Sequence, residues 1–121
     1  MITYNDGLFT ITTDSFTYQM KKDAFGHLLH LYYGSPIEGD ASSLLSLRDR
    51  GFSAVPYEAG LDRSYSYDYL PLEVSVLGDG DFRTPGIIIE QEDGTLSASF
   101  RYLCHRIYKE GALLEGLPCG R

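Results

Sequence analysis

Gly7-Leu8-Phe9-Thr10-Ile11-Thr12-Thr13 alternates apolar and hydroxyl-bearing side chains, with Phe9 and Ile11 on one side and Thr10 and Thr12 on the other. Successive side chains of an extended chain point to opposite faces, so this period of two predicts a half-buried strand. Phe16, Tyr18 and Met20 repeat the pattern around Thr17 and Gln19, and Asp14-Ser15 between the two runs predicts a hairpin. After a charged turn over residues 21 to 26, His27 to Tyr33 reads as a third strand. It carries Leu29, Leu31 and Tyr33 on one face and Leu28, His30 and Tyr32 on the other, and Gly34-Ser35-Pro36 ends it. Apolar or aromatic groups on both faces place this strand between layers.

From Glu38 to Asp68 the strand signal fails. Residues 41 to 47 suit a short helical turn, but Arg48-Asp49-Arg50-Gly51-Phe52-Ser53 and Tyr65-Ser66-Tyr67-Asp68-Tyr69 have no sustained period. Irregular chain of this length in a small domain is usually functional or docked. Its arginines and aromatic residues suggest a surface to be covered. Strand character returns at Glu73-Val74-Ser75-Val76-Leu77 and Ile87-Ile88-Ile89. The Asp93-Gly94 turn leads into a long strand with Phe100, Tyr102 and Cys104 facing one way and Arg101, Leu103, His105 and Ile107 the other, and residues 113 to 118 begin another. About seven or eight strands with little helix predict an all-β fold, an antiparallel β-sandwich over residues 1 to 121 as a single domain.

The 121 residues suffice for one core. A net charge of −7 argues against nucleic acid and against anionic membrane surfaces as partners, because phosphate binding rests on surplus Lys and Arg. No apolar run approaches a bilayer span and the N-terminus lacks a signal-like pattern, so a cytoplasmic location is expected, with Cys104 and Cys119 as reduced thiols.

The densest stretch chemically is Gly78-Asp79-Gly80-Asp81-Phe82-Arg83-Thr84-Pro85. Asp79 and Asp81 share a face if extended, as an acid/base pair requires, but such work needs one carboxyl raised by burial and this polar setting favours two ionised groups. The plainer reading is an acidic turn in which Arg83 neutralises Asp81. His27 and His30 diverge on a strand, and no paired Cys-x-x-Cys or His-Glu-x-x-His occurs, so neither a metal site nor a cofactor is expected; the histidines read as sheet-surface residues with satisfied hydrogen bonds. No Gly-x-Ser-x-Gly elbow is present, and no catalytic residue is assigned. Ten tyrosines leave a sugar platform open, with Tyr65, Tyr67 and Tyr69 on one face of an extended run, but with no tryptophan in the chain a protein contact is the favoured reading.

The ordered set Leu70-Pro71-x-Glu73, Gly78-x-Gly80-Asp81-Phe82-Arg83-x-Pro85, Phe100-Arg101-Tyr102-x-x-His105-x-Ile107-Tyr108-Lys109 and Gly116-Leu117-Pro118 resembles the N-terminal part of bacterial α-galactosidases of glycoside hydrolase family 36. His30-Leu31-Tyr32-Tyr33-Gly34 and Arg48-Asp49-Arg50-Gly51-Phe52-Ser53 match the same region in order. The resemblance implies a β-sandwich module ahead of a (β/α)8 barrel that carries both catalytic aspartates, so that the barrel, further subunits of a homo-oligomer and an α-galactoside are the expected partners. It also implies that Asp49 reaches the galactose pocket and accepts hydrogen bonds from sugar hydroxyls. Leu72 and Glu110-Gly111-Ala112 depart from the family pattern, and the family continues into more strands beyond Pro118. An independent carbohydrate-binding module is the competing expectation.

Overall fold

The computed structural model describes residues 1–49, 57–60, 62–78 and 80–108. Among these the fold is all-β with almost no helix, as expected. Its frame is one antiparallel four-stranded sheet in the order β1 (Ile2–Asn5), β2 (Leu8–Thr12), β3 (Thr17–Lys22) and β4 (Leu28–Gly34). Each strand pairs with its sequence neighbour. The β2–β3 hairpin turns at Asp14-Ser15, where Thr13 Oγ1 accepts from the Phe16 amide at 3.0 Å and the Thr13 amide donates to the Phe16 carbonyl at 2.9 Å.

β1 was not expected from the sequence. It pairs with β2 through a two-residue turn, Asp6-Gly7, with φ of 47° and 82°. Positive φ at both central residues makes the tight turn whose twist matches the flanking strands, and Asp-Gly is a favoured pair for it.

The register of β4 also departs from simple alternation. Gln19 faces Tyr32 while the next residue, Met20, faces His30, so Leu31 is an extra residue on β4. This bulge sends Leu31 inward, at 7% exposure, and leaves Tyr33 at 67%. Leu31 and Tyr33 therefore do not share an environment as strict alternation predicts. Tyr33 lies against Phe16 and Tyr18, and Tyr18 against His30, with ring centroids 5.5 to 6.2 Å apart.

Irregular chain covers both faces of the sheet. On the face of Tyr4 and Phe9, the rings of Tyr102 and His105 pack at 4.3 to 6.0 Å. On the other, buried Gln19 donates to the Gly39 carbonyl at 2.7 Å and accepts from the Ala41 amide at 2.9 Å, pinning a 3-10 turn at Ala41–Leu44 capped by Asp40. That turn lies within the helical span expected at 41 to 47. Leu29, Tyr65, Tyr67 and Leu70 form the core cluster, with Phe25 and Leu72 packed on it. Tyr65 and Tyr67 are thus buried in a turn, not displayed on a strand.

At 73 to 77, 87 to 89 and 100 to 107, where strands are expected, no second ladder forms among the described residues. Within these spans Val76 bridges Ile87, with further isolated bridges beside them at Leu29–Leu72 and Gly78–Asp81, and single backbone hydrogen bonds tie Glu73 to Leu28, Ala98 to Leu77 and Tyr102 to Gly26. The strand expected at 113 to 118 lies outside the described residues.

Candidate functional site

Asp49 follows the 3-10 turn on exposed chain. Its Oδ1 lies 3.3 Å from Arg63 Nε, with side-chain exposures of 64% and 58%. An ion pair this open to water contributes little to stability, so its geometry can yield to another hydrogen-bonding group at low cost. Residues 50 to 53 of the same motif lie outside the described residues, as does Asp79.

Asp81, the other member of the proposed carboxylate pair, is a structural anchor. It accepts from the Arg83 amide at 3.0 Å and from Arg83 Nε and Nη2 at 2.9 Å each. The same guanidinium reaches the carbonyls of Leu70 at 2.8 Å and Tyr67 at 2.6 Å. Burial pushes the Asp81 carboxyl up, but the hydrogen bonds and charge of Arg83 outweigh it and hold it below the ordinary carboxylate value. A group held ionised in this way is no proton donor near neutrality, and the acidic turn neutralised by Arg83 is what the structure contains.

The histidines separate. His30, half-exposed, keeps the expected surface role, with Nδ1 3.0 Å from Glu73 Oε1. His27 does not: it is buried at 6% exposure. Its Nδ1 lies 3.3 Å from Asp23 Oδ2 and contacts the Tyr65 hydroxyl, which also donates to Asp23. Asp23 Oδ1 accepts the amides of Phe25 and His27 at 2.9 and 2.8 Å. Burial raises the Asp23 carboxyl, yet the His27 and Tyr65 hydrogen bonds leave it below its ordinary value, while burial and the Asp23 charge push the Tyr65 hydroxyl far up. An ionised carboxylate only accepts, so the His27 ring turns an Nδ1–H toward Asp23. Its Nε2 is buried and has no hydrogen-bond partner among the described residues. Sequence reading missed this cluster because Asp23 and Tyr65 are far apart in the chain; Asp23 four residues before His27 was the available signal.

No group of three or more His, Cys, Asp or Glu among the described residues is placed to hold a metal ion. Cys104 is a free, exposed thiol, and Cys119 lies outside the described residues. No helix of the described residues is long and apolar enough to cross a membrane.

The model of the glycosyl hydrolase family 36 N-terminal domain matches residues 26–121. The chain is 44% identical over 114 residues to the bifunctional alpha-galactosidase/sucrose kinase AgaSK of Mediterraneibacter gnavus, a match covering 94% of this chain and 12% of that one. It superposes on the galactosidase domain of AgaSK with a TM-score of 0.91 and 43% identity, covering 98% of this chain and 17% of that one. The GH36 alpha-galactosidase AgaB from Geobacillus stearothermophilus gives 0.81 and 36%, covering 98% and 16%. The chain therefore spans less than a fifth of the length of each of these relatives.

Proposed function

Because the chain belongs to the family of glycosyl hydrolase family 36 N-terminal domains, we propose that it is a non-catalytic module of a cytoplasmic α-galactosidase. It packs on a (β/α)8 barrel and on neighbouring subunits of a homo-oligomer, and it lends Asp49 to the pocket that holds the terminal α-galactoside. The barrel supplies nucleophile and acid/base; Asp49 orients the sugar by accepting from its hydroxyls.

The observation that carries the packing role is the run of exposed apolar side chains on ladder-free chain, in particular Phe82 at 85%, Ile88 at 61%, Leu103 at 90% and Tyr108 at 56%. Water is a poor neighbour for so much apolar surface, and a sheet or barrel face laid over it removes that cost. For Asp49, support comes from an exposed carboxylate whose present ion pair is weak to begin with.

The test is a protein carrying both this chain and a barrel, with Asp49→Ala compared to the parent. Losing a charge-assisted hydrogen bond to a sugar is expected to lower kcat/KM by about tenfold or more. An unchanged value removes Asp49 from the pocket, and hydrolysis of an α-galactoside by the 121-residue chain alone overturns the non-catalytic reading. The exposed Tyr33 beside Tyr18 and His30 gives the binding-module alternative a specific locus. Calorimetric titration of the chain with galactose, melibiose and raffinose decides between them, since only a binding module produces heat.

A further inference from the structure

The two outer strands of the sheet end differently. β4 is closed along Leu28 to His30: Leu72 bridges Leu29, the His30 amide donates to the Pro71 carbonyl at 2.7 Å, and the Glu73 amide donates to the Leu28 carbonyl at 2.9 Å. β1, the terminal strand on the other side, has no such cover among the described residues. Met1 and Thr12 exchange backbone hydrogen bonds, with the Thr12 amide 2.8 Å from the Met1 carbonyl, and bonded pairs alternate with non-bonded ones along an antiparallel ladder. In the register Ile2–Ile11, Thr3–Thr10, Tyr4–Phe9, Thr3 therefore turns its amide and carbonyl toward β2, and Ile2 and Tyr4 turn theirs outward. Exposed edges are normally guarded by charge, proline or a bulge. Ile2-Thr3-Tyr4-Asn5 has no charged side chain and no proline, and its β-branched and aromatic residues suit pairing.

We propose that β1 is a contact between copies of this chain, pairing antiparallel with β1 of a second copy across a two-fold axis and joining two four-stranded sheets into one. The proposal rests on the subunit packing put forward above and names the strand that makes the contact. A two-fold through Thr3 sets Ile2 of one copy opposite Tyr4 of the other, so that both residues of both copies donate and accept. Other centres pair less. One on Tyr4 sets Ile2 against Asp6, whose φ of 47° takes it out of the strand, and one on Ile2 carries Tyr4 past the strand's first residue. This self-complementary pattern is what selects a second copy as the occupant, and such an isologous contact closes at two copies rather than growing into a fibre. The His105 ring packs on Tyr4 at 4.3 Å, and Leu103 and Ile107, on either side of it in the chain, are 90% and 44% exposed. Apolar surface thus continues from the edge, and the pairing brings it together with its mate.

The experiment is cysteine cross-linking and sedimentation of the 121-residue chain carrying Cys104→Ser and Cys119→Ser. In the proposed pairing Thr3 faces its mate as a non-bonded pair with Cα atoms about 4.5 Å apart, inside the span of about 4.4 to 6.8 Å that a disulfide bridges. Adding Thr3→Cys, at an exposed position, should give a covalent dimer under mild oxidation at least about tenfold faster than Asn5→Cys, whose mate lies about 14 Å away. Ile2→Pro removes an outward amide at a residue 45% exposed, and should weaken association of the cysteine-free chain by about tenfold or more with the amide spectrum of residues 8 to 12 kept. If that variant disturbs β1 itself, the comparison of Thr3→Cys with Asn5→Cys still decides. A strict monomer at millimolar concentration, equal cross-linking at the two positions, or association that survives Ile2→Pro overturns the proposal. So does a Thr3→Cys cross-link that forms in this chain but not in a barrel-bearing protein, which gives the edge to another strand of the same polypeptide. A barrel-bearing protein that is an oligomer without that cross-link strikes this contact alone, whereas one that sediments as a monomer strikes the subunit packing as well.

Discussion

Arg83 donates from Nη1 to the backbone carbonyl of Leu70 at 2.8 Å, tying the polar turn at 80 to 83 to a residue with 0% exposure. The same side chain neutralises Asp81, whose carboxylate is 4% exposed. Arg83→Met removes these bonds and strands a buried charge. The Arg83 side chain is itself 40% exposed, so solvent relieves part of the loss, and a destabilisation of about 2 kcal/mol is expected. Urea unfolding of the two proteins checks it; an unchanged midpoint removes Arg83 from the fold's supports.

Gly78 makes a sharper case. Its φ is +126°, and a Cβ there would stand 2.7 Å from Ser97 Oγ, 3.0 Å from the Ala98 amide nitrogen and 3.1 Å from the Ala98 carbonyl oxygen. Two of those neighbours are backbone and cannot step aside. Gly78→Ala should cost about 2 to 3 kcal/mol from strain and displacement together. By contrast, a Cβ at Gly94 meets nothing within 4 Å, so Gly94→Ala carries only the cost of its φ of +82°. Thermal melts of the pair should therefore rank them, with Gly78→Ala lower.

Core truncation should separate the covered from the open apolar residues. Leu70→Ala, at 0% exposure in the cluster with Leu29, Tyr65 and Tyr67, is expected to lose about 3 kcal/mol. Phe82→Ala, at 85% exposure, should change the stability of the isolated chain by less than about 0.5 kcal/mol. Similar losses at both sites, read from denaturant midpoints, would show that Phe82 is packed in solution.

Acid should weaken the protein through Asp23 and Asp81. Both have folded-state values below the ordinary 3.8, so unfolding raises their proton affinity. Their contribution is fully present above about pH 4 and is lost as pH falls through the lower folded values. Asp23→Asn should lower stability at pH 6 and flatten the decline between pH 4 and pH 2. A variant whose pH profile runs parallel to the parent would place the acid sensitivity elsewhere.

Three of the four strands were legible because alternation at Phe9 and Ile11, at Tyr18 and Met20, and along 27 to 33 is a backbone property that needs no partner to be read. β1 escaped because its alternation of Ile2 and Tyr4 with Thr3 and Asn5 lasts only four residues, three of them exposed; the Asp6-Gly7 pair after it was the usable sign. The bulge at Leu31 is set by tertiary packing, which pulls Leu31 inward and releases Tyr33, and no one-dimensional pattern encodes that choice. The strands expected at 73 to 77, 87 to 89 and 100 to 107 do not form ladders among the described residues, because strand pairing depends on a neighbour and these spans have only the isolated bridge of Val76 with Ile87. At the candidate site, the Asp81–Arg83 pairing followed from adjacency. The Asp23–His27–Tyr65 cluster did not, because it joins residues 42 positions apart.

The sheet's strand order equals its order along the chain, so every ladder closes between segments that leave a ribosome one after the other. Short loops between partners keep the entropic barrier to pairing low, and the four strands can assemble while later residues are still being synthesised. The clasp from the Tyr102 amide to the Gly26 carbonyl, 2.6 Å long, must wait until that late segment emerges. Nascent molecules would thus pass through a stage with a finished sheet and an open flank, which is when a chaperone would find the most to hold.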